Sequence, residues 1–121
     1  MKILIVDDDP INRDILKTRL EQAGFEVFEA ENGEQGIESA FKQDFSLVVL
    51  DVMMPKKDGW EVCKSLKAHP KTKGVPVIVL TAKSMPIDEL RTWESGADEC
   101  LQKPVDHARF IELVKKHAKA T

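Results

Sequence analysis

Leu47-Val48-Val49-Leu50-Asp51 is a run of four apolar residues that stops at an acid. So short a run, apolar at every position and half β-branched, suits a strand buried on both faces, as in the middle of a parallel sheet. Outward from it the pattern repeats. Ile3-Leu4-Ile5-Val6 runs into Asp7-Asp8-Asp9, and Val77-Ile78-Val79-Leu80 runs into Thr81. Two weaker stretches, Glu26 to Ala30 and Glu99 to Gln102, mix polar with apolar residues and fit the edges of a sheet.

The intervening segments read as helices. Asp9-Pro10 supplies a cap and a proline tolerated in a first turn, and Ile11, Ile15, Leu16 and Leu20 then form an apolar stripe that ends at Gly24. Asn32 caps a second helix carrying Ile37, Ala40 and Phe41. Asp58 caps a third, with Val62, Cys63 and Leu66, closed by His69-Pro70. Pro86 opens a fourth, with Ile87, Leu90 and Trp93 inward, that stops at Gly96; Asp106 precedes a fifth with Phe110, Ile111 and Val114. Five strand-helix units in alternation specify an α/β fold with a parallel sheet, right-handed crossovers and helices on both faces.

Length and composition agree. The 121 residues make one domain, residues 1–121, and 42% hydrophobic with 32% charged residues suits a globular chain. A net charge of -3, with no basic block beyond Lys115, Lys116 and Lys119 at a helix end, argues against direct nucleic-acid binding. The apolar start is too short for a signal peptide or a membrane span, so the expected location is cytoplasmic, with no membrane partner. Cys63 and Cys100 show no metal or redox spacing and read as reduced thiols in the core.

The residues that follow the strands carry the chemistry. In an open parallel sheet the carboxyl ends of the strands share one edge, where ligands bind. Asp7 and Asp8, Asp51, Thr81 and Lys103 therefore converge there from four strands. Three neighbouring carboxylates require a cation or protons, and Mg²⁺ prefers such oxygen ligands and is often completed by phosphate oxygens. Lys103 and Thr81 suit phosphoryl oxygens, and a carboxylate can itself attack phosphorus to form an aspartyl phosphate. Asp51, central in the sheet, is the nucleophile expected. Asp9 reads only as a cap.

With these residues in place the sequence resembles the receiver domains of bacterial two-component response regulators, such as the chemotaxis receivers. The resemblance rests on Ile3 to Asp9, Leu47 to Pro55, Asp58-Gly59, Leu80-Thr81-Ala82, Gly96-Ala97-Asp98 and Lys103-Pro104, and runs from Lys2 to about Ala118. It implies a flavodoxin-like three-layer sandwich with sheet order 2-1-3-4-5 and five helices. It further implies that Asp51 accepts phosphoryl from the phosphohistidine of a sensor histidine kinase or phosphotransfer protein. Asp8 would hold Mg²⁺ directly, Asp7 chiefly through water, and Met53 through its backbone carbonyl. Thr81 and Lys103 would engage the phosphoryl oxygens, with the Lys103-Pro104 bond cis. The face built from the fourth helix, fifth strand and fifth helix would then bind a downstream protein target. The chain would be a stand-alone monomer, dimerisation on phosphorylation being compatible, and a switch rather than an enzyme turning over a metabolite.

Two positions depart from the family pattern. Cys100 stands where many receivers carry Tyr or Phe, and Val105 replaces the common phenylalanine after Lys-Pro. The expected switch therefore rests on Thr81. Met53 offers no side chain to orient a water and Lys83 hangs a long cation over the site, so slow self-dephosphorylation is expected; phosphate release from the phosphoprotein, compared with Met53→Asn, measures it. Trp60 and Trp93 read as packing or partner residues, and His69, His107 and His117 as surface residues. Three other readings fit less well. A receiver fold used only for protein contacts would not need every phosphorylation residue. A flavin or nucleotide domain would want a glycine- or hydroxyl-rich first loop instead of Asp-Asp-Asp-Pro. A dehalogenase-type phosphatase would want an acid at Met53.

Overall fold

Continuous apolar runs need partners on both faces, and the chain supplies them. The structure, a computed structural model, describes residues 1–52, 59–81 and 94–118. Its elements are β1 (Lys2–Val6), α1 (Pro10–Gln22), β2 (Glu26–Ala30), α2 (Gly33–Lys42), β3 (Leu47–Asp51), α3 (Gly59–Ala68), β4 (Val77–Thr81), β5 (Glu99–Gln102) and α4 (His107–Ala118). All pairings are parallel and the order is β2-β1-β3-β4-β5, so the two mixed stretches are indeed the edges. Four helices stand among the described residues where five were expected. The helix expected from Pro86, with Trp93, falls outside them, as do the cap Asp58, Met53 and Lys83; the last helix is accordingly α4.

Alternate residues of each central strand serve opposite layers. Leu4, Val6, Val48, Leu50, Val77 and Val79 pack with Ala40 of α2 and with Trp60, Val62, Cys63 and Leu66 of α3. Ile3, Ile5, Leu47, Val49, Ile78 and Leu80 pack with Leu16 and Leu20 of α1 and with Phe110, Leu113 and Val114 of α4. Each fully buried Leu, Ile or Val contributes about 1.5–3 kcal/mol, so this double core is what holds the sheet edge in place. Trp60 is a packing residue, 5% exposed.

Three expectations need correction. The α1 stripe is narrower than read: Leu16 and Leu20 are buried, whereas Ile11 and Ile15 are 72% and 43% exposed. At about 100° per residue, Ile15 and Ile11 lie roughly 100° and 140° around the helix from Leu16, beyond the reach of the sheet. His107 and His117 are half-buried rather than on the surface, and His117 Nε2 lies 3.1 Å from Glu99 Oε1. Cys100 is likewise only half-buried.

Candidate functional site

The site is assembled from strand ends. β1 hands on to Asp7, whose N–H donates to the Ala30 carbonyl at 3.1 Å, continuing the ladder with β2 one residue past the strand. Asp8 is exposed beside it. Asp9 is the N-cap of α1, its side chain accepting from the Ile11 N–H at 3.0 Å, as read from the sequence. Asp51 is the last residue of β3 and is 4% exposed. Thr81 ends β4, 3% exposed, and its carbonyl accepts from the Lys103 N–H at 2.8 Å. The Lys103-Pro104 peptide is cis, as the resemblance implied.

These placements bring four of the expected side chains together. Carboxylate oxygens of Asp7, Asp8 and Asp51 all lie within 4.8 Å of one another. Lys103 Nζ donates to Asp51 Oδ1 at 2.9 Å. Thr81 Oγ1 lies 3.7 Å from Cys100 Sγ, and both line a groove of about 410 Å³ with Leu101, Gln102 and Arg109. Hard, anionic oxygen donors at this spacing fit Mg²⁺, with room for phosphate oxygens in its remaining positions.

Electrostatics set the site apart from an ordinary acidic surface. Burial pushes the Asp7 carboxyl above its usual value. Bonds from the Asp9 N–H and Asn12 oppose that shift; nearby Asp51 adds to it, and Lys103 opposes it. An ion among these acids would relieve the desolvation and the repulsion at once.

Three neighbours escaped the sequence reading. Asn12 Nδ2 donates to Asp7 Oδ2, and Arg13 Nη1 donates to the Asp7 carbonyl at 2.7 Å. Gly59, read from the sequence only through the Asp58-Gly59 motif, donates its N–H to the Val52 carbonyl at 3.1 Å. A Cβ there would sit 2.5 Å from the Asp51 carbonyl oxygen and 2.9 Å from Val52 Cα. The only available signal was position: Asn12 and Arg13 occupy the first turn after the acidic loop.

Residues 3–115 match the family model described as the response regulator receiver domain. The chain is 39% identical over 114 residues to the DNA-binding dual master transcriptional regulator RpaA of Synechocystis, covering 94% of this chain and 47% of that protein. It thus spans about half the length of the curated relatives it matches. Among solved structures it resembles the signal receiver domain of a signal transduction histidine kinase from Syntrophus aciditrophicus. The TM-score is 0.93 at 34% identity, over 99% of this chain and 91% of that one. It also resembles the response regulator protein TrrA from Thermotoga maritima, solved in complex with Mg²⁺-BeF. There the TM-score is 0.85 at 38% identity, over 95% of this chain and 96% of the other.

Proposed function

Because the chain belongs to the response regulator receiver domains, which act in phosphorylation-dependent signalling, we propose that Asp51 accepts a phosphoryl group from the phosphohistidine of a sensor histidine kinase or phosphotransfer protein. The observation that carries this is the meeting of Asp51 with Lys103 at 2.9 Å beside Asp7 and Asp8. An Asp51 oxygen attacks phosphorus while the P–N bond breaks, and its electron pair leaves with the imidazole. Asp8 and Asp51 would hold Mg²⁺ through their carboxylates and Asp7 chiefly through water, and the Met53 carbonyl would be the remaining protein ligand. Mg²⁺, once bound, offsets negative charge on the acids and on the incoming phosphoryl oxygens. The Mg²⁺-BeF complex of the Thermotoga relative supports that ion.

Lys103 then exchanges its Asp51 oxygen for a phosphoryl oxygen, and the Thr81 hydroxyl donates to another. Each adds a charge-assisted bond available only after modification, which biases a two-state equilibrium. With Cys100 on β5 the bias rests on Thr81 and Lys103 rather than on a turning ring. The output surface comprises β5, α4 and the helix expected from Pro86, and its target is a protein. Residues 1–121 act as one receiver unit, in the cytoplasm, as a monomer that can pair when phosphorylated. It turns over no external metabolite and does not itself contact nucleic acid; DNA binding is a property of the Synechocystis relative, twice as long. Among the described residues no helix is long and apolar enough to cross a membrane.

The test is direct. Wild type and Asp51→Asn are incubated with acetyl phosphate and Mg²⁺ and weighed intact. Wild type gains the mass of one phosphoryl group, a chelator abolishes the gain, and Asp51→Asn gains nothing. Equal labelling of the two proteins would remove Asp51 from its role.

A further inference from the structure

Asp7 is held at both carboxylate oxygens and at its main-chain carbonyl. Its Oδ1 accepts from the Asp9 N–H at 2.9 Å, and its Oδ2 accepts from Asn12 Nδ2. Its main-chain carbonyl accepts from Arg13 Nη1 at 2.7 Å, and Arg13 Nε is itself held by Glu29 of β2 at 3.3 Å. Two consecutive side chains of the first turn of α1 thus converge on one acid, one on its carboxylate and one on its backbone. Arg13 fixes where the residue is. Asn12 fixes which way its carboxylate faces.

Direction matters for the ion proposed here. Mg²⁺ tolerates little departure from octahedral geometry and keeps several of its waters, so an acid that holds one of those waters must present its oxygen along a set direction. Groups that hold a directly bound ligand from behind orient it, and losing one typically lowers metal affinity 10–100-fold; Asp7 acts through water, so the lower end of that range applies to its partner. An amide is well suited to such a hold, because its NH₂ donates to the carboxylate without adding a charge that would compete with the ion. A lysine at the same place would neutralise Asp7, and an acid would repel it.

Resting on the reading of Asp7, Asp8 and Asp51 as a Mg²⁺ site, we propose that Asn12 is a positioning residue that sets Mg²⁺ affinity by fixing the orientation of the Asp7 carboxylate. Asn12 touches neither the phosphoryl group nor the ion in this role and acts through Asp7 alone.

Calorimetric titration with MgCl₂ tests it on wild type, Asn12→Ala, the near-isosteric Asn12→Leu, and Asn12→Gln, which keeps the amide on a longer arm. Ala and Leu are better helix formers than Asn, so both variants should fold. The expected result is a Kd raised about tenfold in Asn12→Ala and Asn12→Leu, with most of the affinity retained in Asn12→Gln. Metal-free melting temperatures should fall modestly in Asn12→Ala and Asn12→Leu, because Asp7 loses a hydrogen bond, so each Kd is measured well below the melting transition, where all four proteins are folded. If Ala and Leu variants bind Mg²⁺ as wild type does, the role of Asn12 is overturned while the metal site stands. If wild type binds no Mg²⁺, or Asp8→Asn and Asp51→Asn bind it equally well, the site reading fails and this proposal falls with it.

Discussion

At the scale of the residue, Asp7 is subject to opposed forces. Burial raises its pKa above the ordinary 3.8, while bonds from the Asp9 N–H and Asn12 pull it down without cancelling the rise. Protonation is then easier in the folded chain than in the unfolded one. Below both values Asp7 is neutral in either state and costs nothing. As pH climbs from 3.8 through the raised value, the folded state binds the extra proton, and stability falls until both states are ionised. Without metal, Asp7→Asn should therefore gain melting temperature relative to wild type as pH rises through that window, the gain levelling off above it. Thermal denaturation in chelator from acid to neutral pH measures this; a difference that shrinks with rising pH would contradict the account. Asp7 was legible in the sequence because it ends an apolar run. Asn12 was not: a helix-face pattern relates residues of one helix, and its partner lies on the loop before that helix.

At the scale of the element, β3 and α3 meet at Gly59. The backbone at Asp51, the last residue of β3, and at Val52 just after it passes so close that an added Cβ would press on main-chain atoms that cannot rotate away. Gly59→Ala should cost roughly 1–3 kcal/mol, the usual range for overpacking, and should slow labelling of Asp51 by shifting the end of its strand. Urea denaturation gives the first quantity. Gly74→Ala, with nothing within 4 Å of the added carbon, is the control and should be neutral or stabilising by up to about 1 kcal/mol. A Gly59→Ala protein as stable as the control would refute the tight approach. Helix existence was readable from caps and periodicity, as Asp9 and Asn32 demonstrate by accepting from Ile11 and Gln35. Helix facing was less so. Ile11 and Ile15 are as apolar as Leu16, and only the position of the sheet decides which of them it covers.

At the scale of the whole molecule, the ion should act as a fastener between separate strands. A ligand bound only by the folded state stabilises it by about 2.7 kcal/mol at a hundredfold excess over Kd. For a domain of this size that corresponds to a melting temperature higher by on the order of 10 °C. Scanning with and without chelator measures it, and Asp51→Asn should lose most of the rise; an equal rise in both would place the ion elsewhere. The parallel α/β class was legible because strands buried on both faces leave no polar alternation. The strand order was not, since alternation permits several; it came from the resemblance, and the pairings agree with it. β3 also explains how such a molecule could signal. Leu47 and Val49 are wedged into one core and Val48 and Leu50 into the other. The proposed acceptor at its tip, Asp51, stands on an anvil: a group added there would find no room to retreat. The accommodation would then come from the rim, from Thr81 and Lys103, so a strand packed on both faces would oblige its neighbours to carry the message.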